Sequence, residues 1–475
     1  MSAPFDATQV IAWTGARWIQ GGEDVHFSGA SIDTRSLEAG SLFIAIRGVR
    51  HDAHEFLDAA LAAGATGLLV EHGRSLPAGL RGDLCVLAVE DTTRALGDLA
   101  SGHRSGHAGP LVAITGSSGK TTTKEMCAAV LAAAGTCLKT EGNLNNEFGL
   151  PLTLLRREEG HQRVVVELGM NHRGEIARLA AIARPNVGVV TNVGTAHIEF
   201  LGSRENIAAE KGDLLAALPA DGVAVLNADD PQVLDQSSRS AARVVFFGHA
   251  PEAHVRAEHP RVAGSGFAFL LCAPQGRIEV EVAGLGETTC SNALAAAAAA
   301  LAAGVELPAI AEGLAAYRPV PGRLQPIELS GGGLLIDDSY NANPQSMEVA
   351  LRILARLAAG QPGGDTRRLG VAILGDMGEL GEASAEAHRE TGRLAATLGI
   401  DRIFAVGEQA ETIAAGATER GMDPAHVFAA DSWEKTTERL DRELHGGERV
   451  LVKGSRAMRM ERIVEHLTHS DGGHG

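Results

Sequence analysis

Residues 111–135 read LVAITGSSGKTTTKEMCAAVLAAAG: an apolar strand, a loop bracketed by glycines, then a helix that Gly135 ends. No other stretch restricts the fold as much, because a strand, tight loop and helix in succession is the opening of an α/β crossover unit. RVVVELG (163–169) and NVGVVTNVG (186–194) follow as unbroken apolar runs. Such runs mark strands buried on both faces of a parallel sheet.

A chain of 475 residues is too long for one compact core, so two or three domains are expected. Short strands and helices alternate before residue 106, among them SLFIAIRG, HEFLDAALAAGA, TGLLVEH, LCVLAVE and TTRALGDLASGHR. HRSGHAGP then reads as a polar hinge with a boundary near residue 109. The central unit continues through a helix over 203–218 and the strands VAVLN and RVVFFG, then an irregular stretch, to the alanine-rich helix around 293–303. YRPVPGRLQP, with three prolines and a glycine, reads as a second linker. Beyond it LLIDDSY, RLGVAILG, RIFAVG, HVFAA and RVLVKG are strands between amphipathic helices. The expected fold is α/β in three domains, 1–108, 109–319 and 320–475. The central one is a P-loop ATPase-like parallel sheet and the last is Rossmann-like and doubly wound.

The loop Thr115, Gly116, Ser117, Ser118, Gly119, Lys120 and Thr121 has the context a phosphate cradle needs, between a strand and a helix N-terminus. Its glycines admit close approach of a phosphate, Lys120 supplies charge for the outer phosphates, and the Thr121 hydroxyl suits Mg²⁺. Ile114 occupies the place of the first glycine in the longer consensus, so only G-x-x-G-K-T is present. Glu167 ends one apolar strand and His197 follows another, both at the carboxyl edge where ligands of such sheets bind.

Lys211 falls four residues after Ile207 and on the same helical stripe as Leu214, Leu215 and Leu218. Two readings stay open. The amine snorkels to water, or it sits desolvated, loses its proton readily and adds CO₂ to become a carbamate that binds metal like a carboxylate.

These stretches, with GNLNNEFGLPLTLL, VVELGMNHRGEI, TNVGTAHIEFLGS, AAEKGDLL, VPGRLQP, DDSYNANPQSM, LGDMGELG and VKGSR, resemble the Mur ligase family over nearly the whole chain. That family comprises ATP-dependent amide ligases of peptidoglycan precursor synthesis. DDSYNANPQSM with LGDMGELG is most similar to the branch that joins D-alanyl-D-alanine to UDP-N-acetylmuramoyl-tripeptide, and the D-N-P-R motif of the diaminopimelate-adding branch is absent. The resemblance implies ATP and Mg²⁺ as cofactors, with Thr121, Glu167, His197 and a carbamylated Lys211 holding the metal and Lys120 contributing to catalysis. It implies nucleotide contacts from Asn292, Arg323, Asp338, Tyr340, Asn341 and Asn343. Substrate contacts fall to Ser31, Asp33, Thr34 and Arg35 for the UDP, to Asn145 and Asn146, and to Asp376, Glu379, Lys453 and Arg456 for the dipeptide or the transferred phosphate. Thr288 stands where the family shows a histidine before the alanine-rich helix.

The formal net charge of −17 argues against nonspecific nucleic-acid binding. No apolar run reaches the ~20 residues of a membrane span, and the start MSAPFDATQV has no leader pattern. Five scattered cysteines without a C-x-x-C pair read as buried cytosolic thiols, and the enzyme is expected to be cytoplasmic and monomeric. His51/His54 and His103/His107 have metal-like spacing but sit in a polar loop or at a helix end. A GTPase switch would need N-K-x-D, and the chain has no Asn-Lys dipeptide. A folate-type glutamate ligase would share the central unit but should lack the paired motifs of the last, a small-molecule kinase has no need of three domains, and ATP turnover would dispose of a non-catalytic interaction protein.

Overall fold

The computed structural model describes residues 5–22, 24–263, 266–360 and 367–470. Residues 1–4, on which part of the leader reading rests, lie outside them.

The central sheet has six strands, all parallel, in the spatial order Arg243–Phe247, Val223–Asn227, Val187–Val190, Leu111–Thr115, Arg163–Glu167, Cys137–Lys139. The first strand in the chain stands in the middle, and the connections leave it in opposite directions. A crevice therefore opens at its carboxyl end, where the phosphate loop begins. Its side chains alternate between two cores. Leu111 and Ala113 pack with the helices Thr92–Ser105, Glu175–Ala183 and Arg204–Ala216, while Val112 and Ile114 pack with Lys120–Ala133 and the alanine-rich helix Glu287–Ala302. Burial on both faces is why these strands are apolar without a break.

The stretch expected to be irregular is a three-stranded antiparallel sheet, Arg256–Ala263, Gly266–Ala273 and Gly276–Ala283. Its signal was the alternation of Ile278, Val280 and Val282 with Glu279 and Glu281, a half-exposed pattern of period two.

Toward the N-terminus a five-stranded sheet runs Arg17–Gln20, Cys85–Val89, Gly67–Glu71, Leu42–Ile44, Ala30–Ser31. The helix Ala7–Thr14, opened by an Asp6–Gln9 capping box, was not read from the sequence. The stretch read as a hinge is tied down at its start: Arg104 is buried and donates to Ala183 O (3.2 Å), His107 O (2.6 Å) and Asn186 Oδ1 (3.1 Å).

The last sheet runs Gln325–Leu329, Gly333–Asp338, Arg449–Lys453, Gly370–Gly375, Arg402–Val406, Val427–Ala430, with only the first strand antiparallel. Helices cover both faces, as a doubly wound sheet requires: Pro344–Ala359, Ser384–Thr397 and Ala410–Glu419 on one, Trp433–Glu443 and Glu461–Ser470 on the other. The expected linker ends sooner than read, because Gln325 and Pro326 already pair with Asp337 and Ile336; an edge strand tolerates that proline. Among the described residues no helix is long and apolar enough to cross a membrane. The cysteines are unbridged, and Cys137 alone is only half-buried.

Candidate active site

A cavity of about 1080 Å³ lies between the central and last sheets, lined from both and, among the described residues, by nothing before Ser117. Its floor is the phosphate loop. Thr115 Oγ1 donates to Leu168 O at 3.0 Å and fixes the strand end. Gly119 has φ 76°, and a Cβ there would stand 2.5 Å from Asn292 Oδ1; on Gly116 it would stand 1.9 Å from Thr191 Oγ1. Both positions therefore demand glycine. Gly194 N donates to Ser117 Oγ (2.8 Å) and Ser118 N to Asn192 Oδ1 (2.9 Å), tying the loop to the neighbouring strand end. Lys120 Nζ curls back to donate to Gly116 O at 2.8 Å. Enclosure lowers its pKa, against the pull of the Glu167 carboxylate.

Glu167 is buried at 2% exposure and both carboxylate oxygens are engaged. Oε2 accepts from Thr121 Oγ1 (2.9 Å) and Oε1 from Asn145 Nδ2 (2.8 Å). Lys211 is 1% exposed, with no hydrogen bond or ion pair recorded among the described residues. Burial holds its pKa well below the usual lysine value, the charge of Lys120 lowers it further, and Glu210 opposes both. Glu210 itself faces the other way, accepting from Gly174 N (2.8 Å) and Ile176 N (2.9 Å) at the start of the helix Glu175–Ala183. The snorkelling alternative is thus ruled out by burial. Lys211 does not line the cavity wall.

His197, with φ 64°, lines the cavity, and its Nδ1 lies 2.5 Å from Glu379 Oε2 of the last unit without hydrogen-bond alignment. The imidazole holds the Glu379 carboxyl below the usual range. Among the described residues no group of three or more His, Cys, Asp and Glu side chains is set to hold a metal. His54 is committed elsewhere, to Asp52 through Nδ1 and Glu71 N through Nε2. His103 Nε2 meets Arg157 O, and His107 Nε2 is buried without a partner.

The opposite wall brings Arg323, Asp338, Tyr340, Asn341, Asn343, Glu379, Lys453 and Arg456 together, with Asn292 on the phosphate-loop side and Asn145 and Asn146 at the side. Asn292 Oδ1 accepts from Thr123 Oγ1 at 3.2 Å, beside Gly119. The Arg323 guanidinium lies 4.1 Å from the Tyr340 ring centroid and reaches to 3.5 Å of Thr121 Oγ1. Arg456 stands 5.6 Å from the same ring and pairs with Glu461. Asn146 accepts from Gly149 N, and Asn343 caps the helix Pro344–Ala359. Lys453 Nζ donates to Asp338 Oδ2 at 2.6 Å and to Asn341 O at 2.9 Å, both partners of the ion pair being buried. Burial pushes both toward neutrality and each pulls the other back.

Eight expected residues lie outside the cavity lining, Thr115, Gly116 and Lys211 described above and five more. Asp376 spends its carboxylate on Glu408 N (2.9 Å) and Gln409 N (3.0 Å). Ser31, Asp33, Thr34 and Arg35 form a loop on the first unit; Ser31 Oγ donates to Asp33 O, and the Arg35 guanidinium holds the Asp33 carboxyl down to about 2. The sequence reading missed Asn192 and Thr191, which brace the phosphate loop. Their position at the carboxyl end of a parallel strand was the available signal.

Residues 114–300 match the model of the Mur ligase middle domain, and residues 322–456 that of the Mur ligase glutamate ligase domain. The chain is 41% identical to UDP-N-acetylmuramoyl-tripeptide–D-alanyl-D-alanine ligase of Escherichia coli K12, covering 94% of this chain and 95% of that one. The Bacillus subtilis ligase of the same name is 34% identical, covering 94% of each. Among solved structures, MurF of Acinetobacter baumannii superposes with a TM-score of 0.87 at 33% identity, covering 98% of this chain and 99% of that one. MurF ligase of Thermotoga maritima in complex with ADP gives 0.80 at 30%, covering 94% and 98%.

Proposed function

The chain belongs to the Mur ligase family, and from that premise we propose that it joins D-alanyl-D-alanine to UDP-N-acetylmuramoyl-tripeptide at the expense of ATP. The reaction belongs to peptidoglycan precursor synthesis, and a UDP-linked substrate and ATP both support a cytoplasmic location. One observation carries the reading: a phosphate loop on one wall of a cavity whose other wall is the last unit, with the buried Lys211 on the helix Arg204–Ala216 of the loop's own unit.

A carboxylate does not accept an amine directly, since oxide would have to leave. Transfer of the γ-phosphoryl group makes it an acyl phosphate: a carboxylate oxygen bonds to phosphorus as the bond to ADP breaks. The free amine of the dipeptide then attacks the acyl carbon, and phosphate leaves with the electron pair as the nitrogen loses its proton. Lys120 and the loop N–H groups offset the repulsion between the two anions in the first step. The last unit shuts out water that would hydrolyse the acyl phosphate.

The donor set fits Mg²⁺: the Thr121 hydroxyl, the Glu167 carboxylate, the His197 imidazole and a carbamate on Lys211. Bound there, the ion would neutralise charge on the phosphate oxygens. What supports the carbamate is the environment of Lys211, where an ammonium is almost wholly shut off from solvent and is repelled by Lys120, with Glu210 alone opposing both. A carboxylated amine reverses that sign. We assign residues 1–108 to the UDP-sugar, 109–319 to ATP and 320–475 to the dipeptide, in a monomeric enzyme.

The deciding measurement is phosphate release with UDP-muramoyl-tripeptide and a panel of amines. Turnover with D-alanyl-D-alanine alone is the expected result. Turnover with single amino acids and not with the dipeptide would overturn the assignment.

A further inference from the structure

On the two walls of the cleft His197 and Glu379 both hold left-handed backbone, at φ 64° and 61°, and their side chains meet at 2.5 Å. Left-handed backbone is disfavoured for any residue with a Cβ, and it persists where surrounding contacts enforce it. Here two such residues face each other from different sheets. The loops around them also touch: a Cβ on Gly381 would lie 3.4 Å from Glu199 Cγ.

We propose that Glu379 is a positioning residue for His197. By accepting from Nδ1 it fixes the imidazole so that Nε2 is presented to the divalent cation, and cation binding on the central unit is thereby coupled to docking of the last. A carboxylate on one ring nitrogen sets the tautomer and orientation of the other and raises its basicity as a ligand. The contact is close but not aligned, so a small rotation of either group completes the bond. Because the carboxylate comes from another unit, opening the cleft removes it, and the coupling is reciprocal. The inference rests on the ligand role proposed for His197. It departs from the sequence-based expectation that Glu379 contacts the dipeptide or the transferred phosphate.

The test is Mn²⁺ affinity, read from free Mn²⁺ by electron paramagnetic resonance with a non-hydrolysable ATP analogue and no turnover. Glu379→Gly is the main variant, because φ 61° suits glycine and the fold is kept. It should weaken Mn²⁺ binding by about 10–100-fold, while Glu379→Gln, which keeps an acceptor at the same reach, stays within about threefold of the native enzyme. The double variant with His197→Ala should bind no worse than His197→Ala alone. Unchanged Mn²⁺ affinity in Glu379→Gly, with His197→Ala weakened, overturns the positioning role and leaves the ligand role standing. A His197→Ala variant with native affinity removes the ligand role and this inference with it. A raised KM for the dipeptide as the only effect of Glu379→Gly returns the residue to substrate binding.

Discussion

Thr121 Oγ1 donates to Glu167 Oε2 at 2.9 Å, joining the first turn behind the phosphate loop to the end of the adjacent strand. The hydroxyl proton is thus directed at a carboxylate, and of the oxygen lone pairs one faces the Arg323 guanidinium at 3.5 Å while the other is left for a cation. Thr121→Val keeps the shape and removes that oxygen. Its kcat should fall about 10²–10³-fold, as when a preorganised electrostatic group is lost. Thr121→Ser should retain most activity. Phosphate release under saturating substrates checks both, and equal rates for Val and Ser would remove the hydroxyl from the mechanism.

Lys211 is expected to be essential for a reason other than packing. Lys211→Met should abolish turnover yet raise the unfolding midpoint of the CO₂-free protein at neutral pH, because it replaces a buried, partnerless amine by an apolar chain of similar length. The sign follows from linkage. The folded-state pKa lies below the unfolded value, so the unfolded chain binds more protons in that window and stability falls as pH drops through it. The Met variant loses that slope. Lys211→Ala with a small added carboxylate should recover part of the activity, and ¹³C-bicarbonate should give a carbamate signal only in the native protein. Full activity of either variant refutes a metal-ligand role.

Gly119→Ala tests the cradle. Its backbone conformation costs an L-residue about 1–2 kcal/mol, and the new methyl would press on Asn292. Chemical denaturation should show a loss of that size or larger. Affinity for a fluorescent ATP analogue should fall more steeply than for UDP-muramoyl-tripeptide, since the sugar nucleotide has no contact with this loop in the scheme above.

At the junction before the central sheet, His107 is buried without a partner for Nε2, and burial with Arg104, Arg157 and His161 nearby holds its pKa down to about 4. The unfolded chain takes up this proton near pH 6.5 and the folded protein only near 4. Stability contributed by the neutral ring is therefore full above about pH 6.5 and lost as pH falls toward 4. His107→Gln should flatten that part of the profile in urea denaturation at pH 7 and pH 5. An unchanged slope would place the acid sensitivity elsewhere.

Much of this arrangement was legible because it is periodic or local. The strands ending at Thr115 and Glu167 announce themselves as apolar runs, and the stripe carrying Lys211 follows from helical spacing. What pairs across distant strands was not legible. Nothing local to Lys453 says that Asp338, 115 residues away, takes its charge, or that Asp376 is spent on the backbone of Glu408 and Gln409. Those contacts depend on which strands become neighbours, and Arg449–Lys453 enters between two strands much earlier in the chain. The antiparallel sheet over 256–283 was missed for another reason. Its glycines and polar alternation look like loop when read with the expectation of continuous apolar strands.

The Lys453–Asp338 pair makes the last prediction, because it separates a structural cation from a substrate-binding one. Lys453 is 1% exposed and also donates to Asn341 O. Lys453→Met leaves Asp338 buried with the backbone N–H of Leu324 and the charge of Arg323 as what remains against its own. Loss of one partner of a buried pair costs about 3–5 kcal/mol, whereas replacing both by neutral groups costs far less. Urea denaturation should therefore show a large loss for Lys453→Met and a recovery of most of it in Lys453→Met with Asp338→Asn. If the single variant is instead as stable as the native protein and only its KM for the dipeptide or its phosphoryl-transfer rate changes, the amine serves the substrate and Asp338 is its holder rather than its partner.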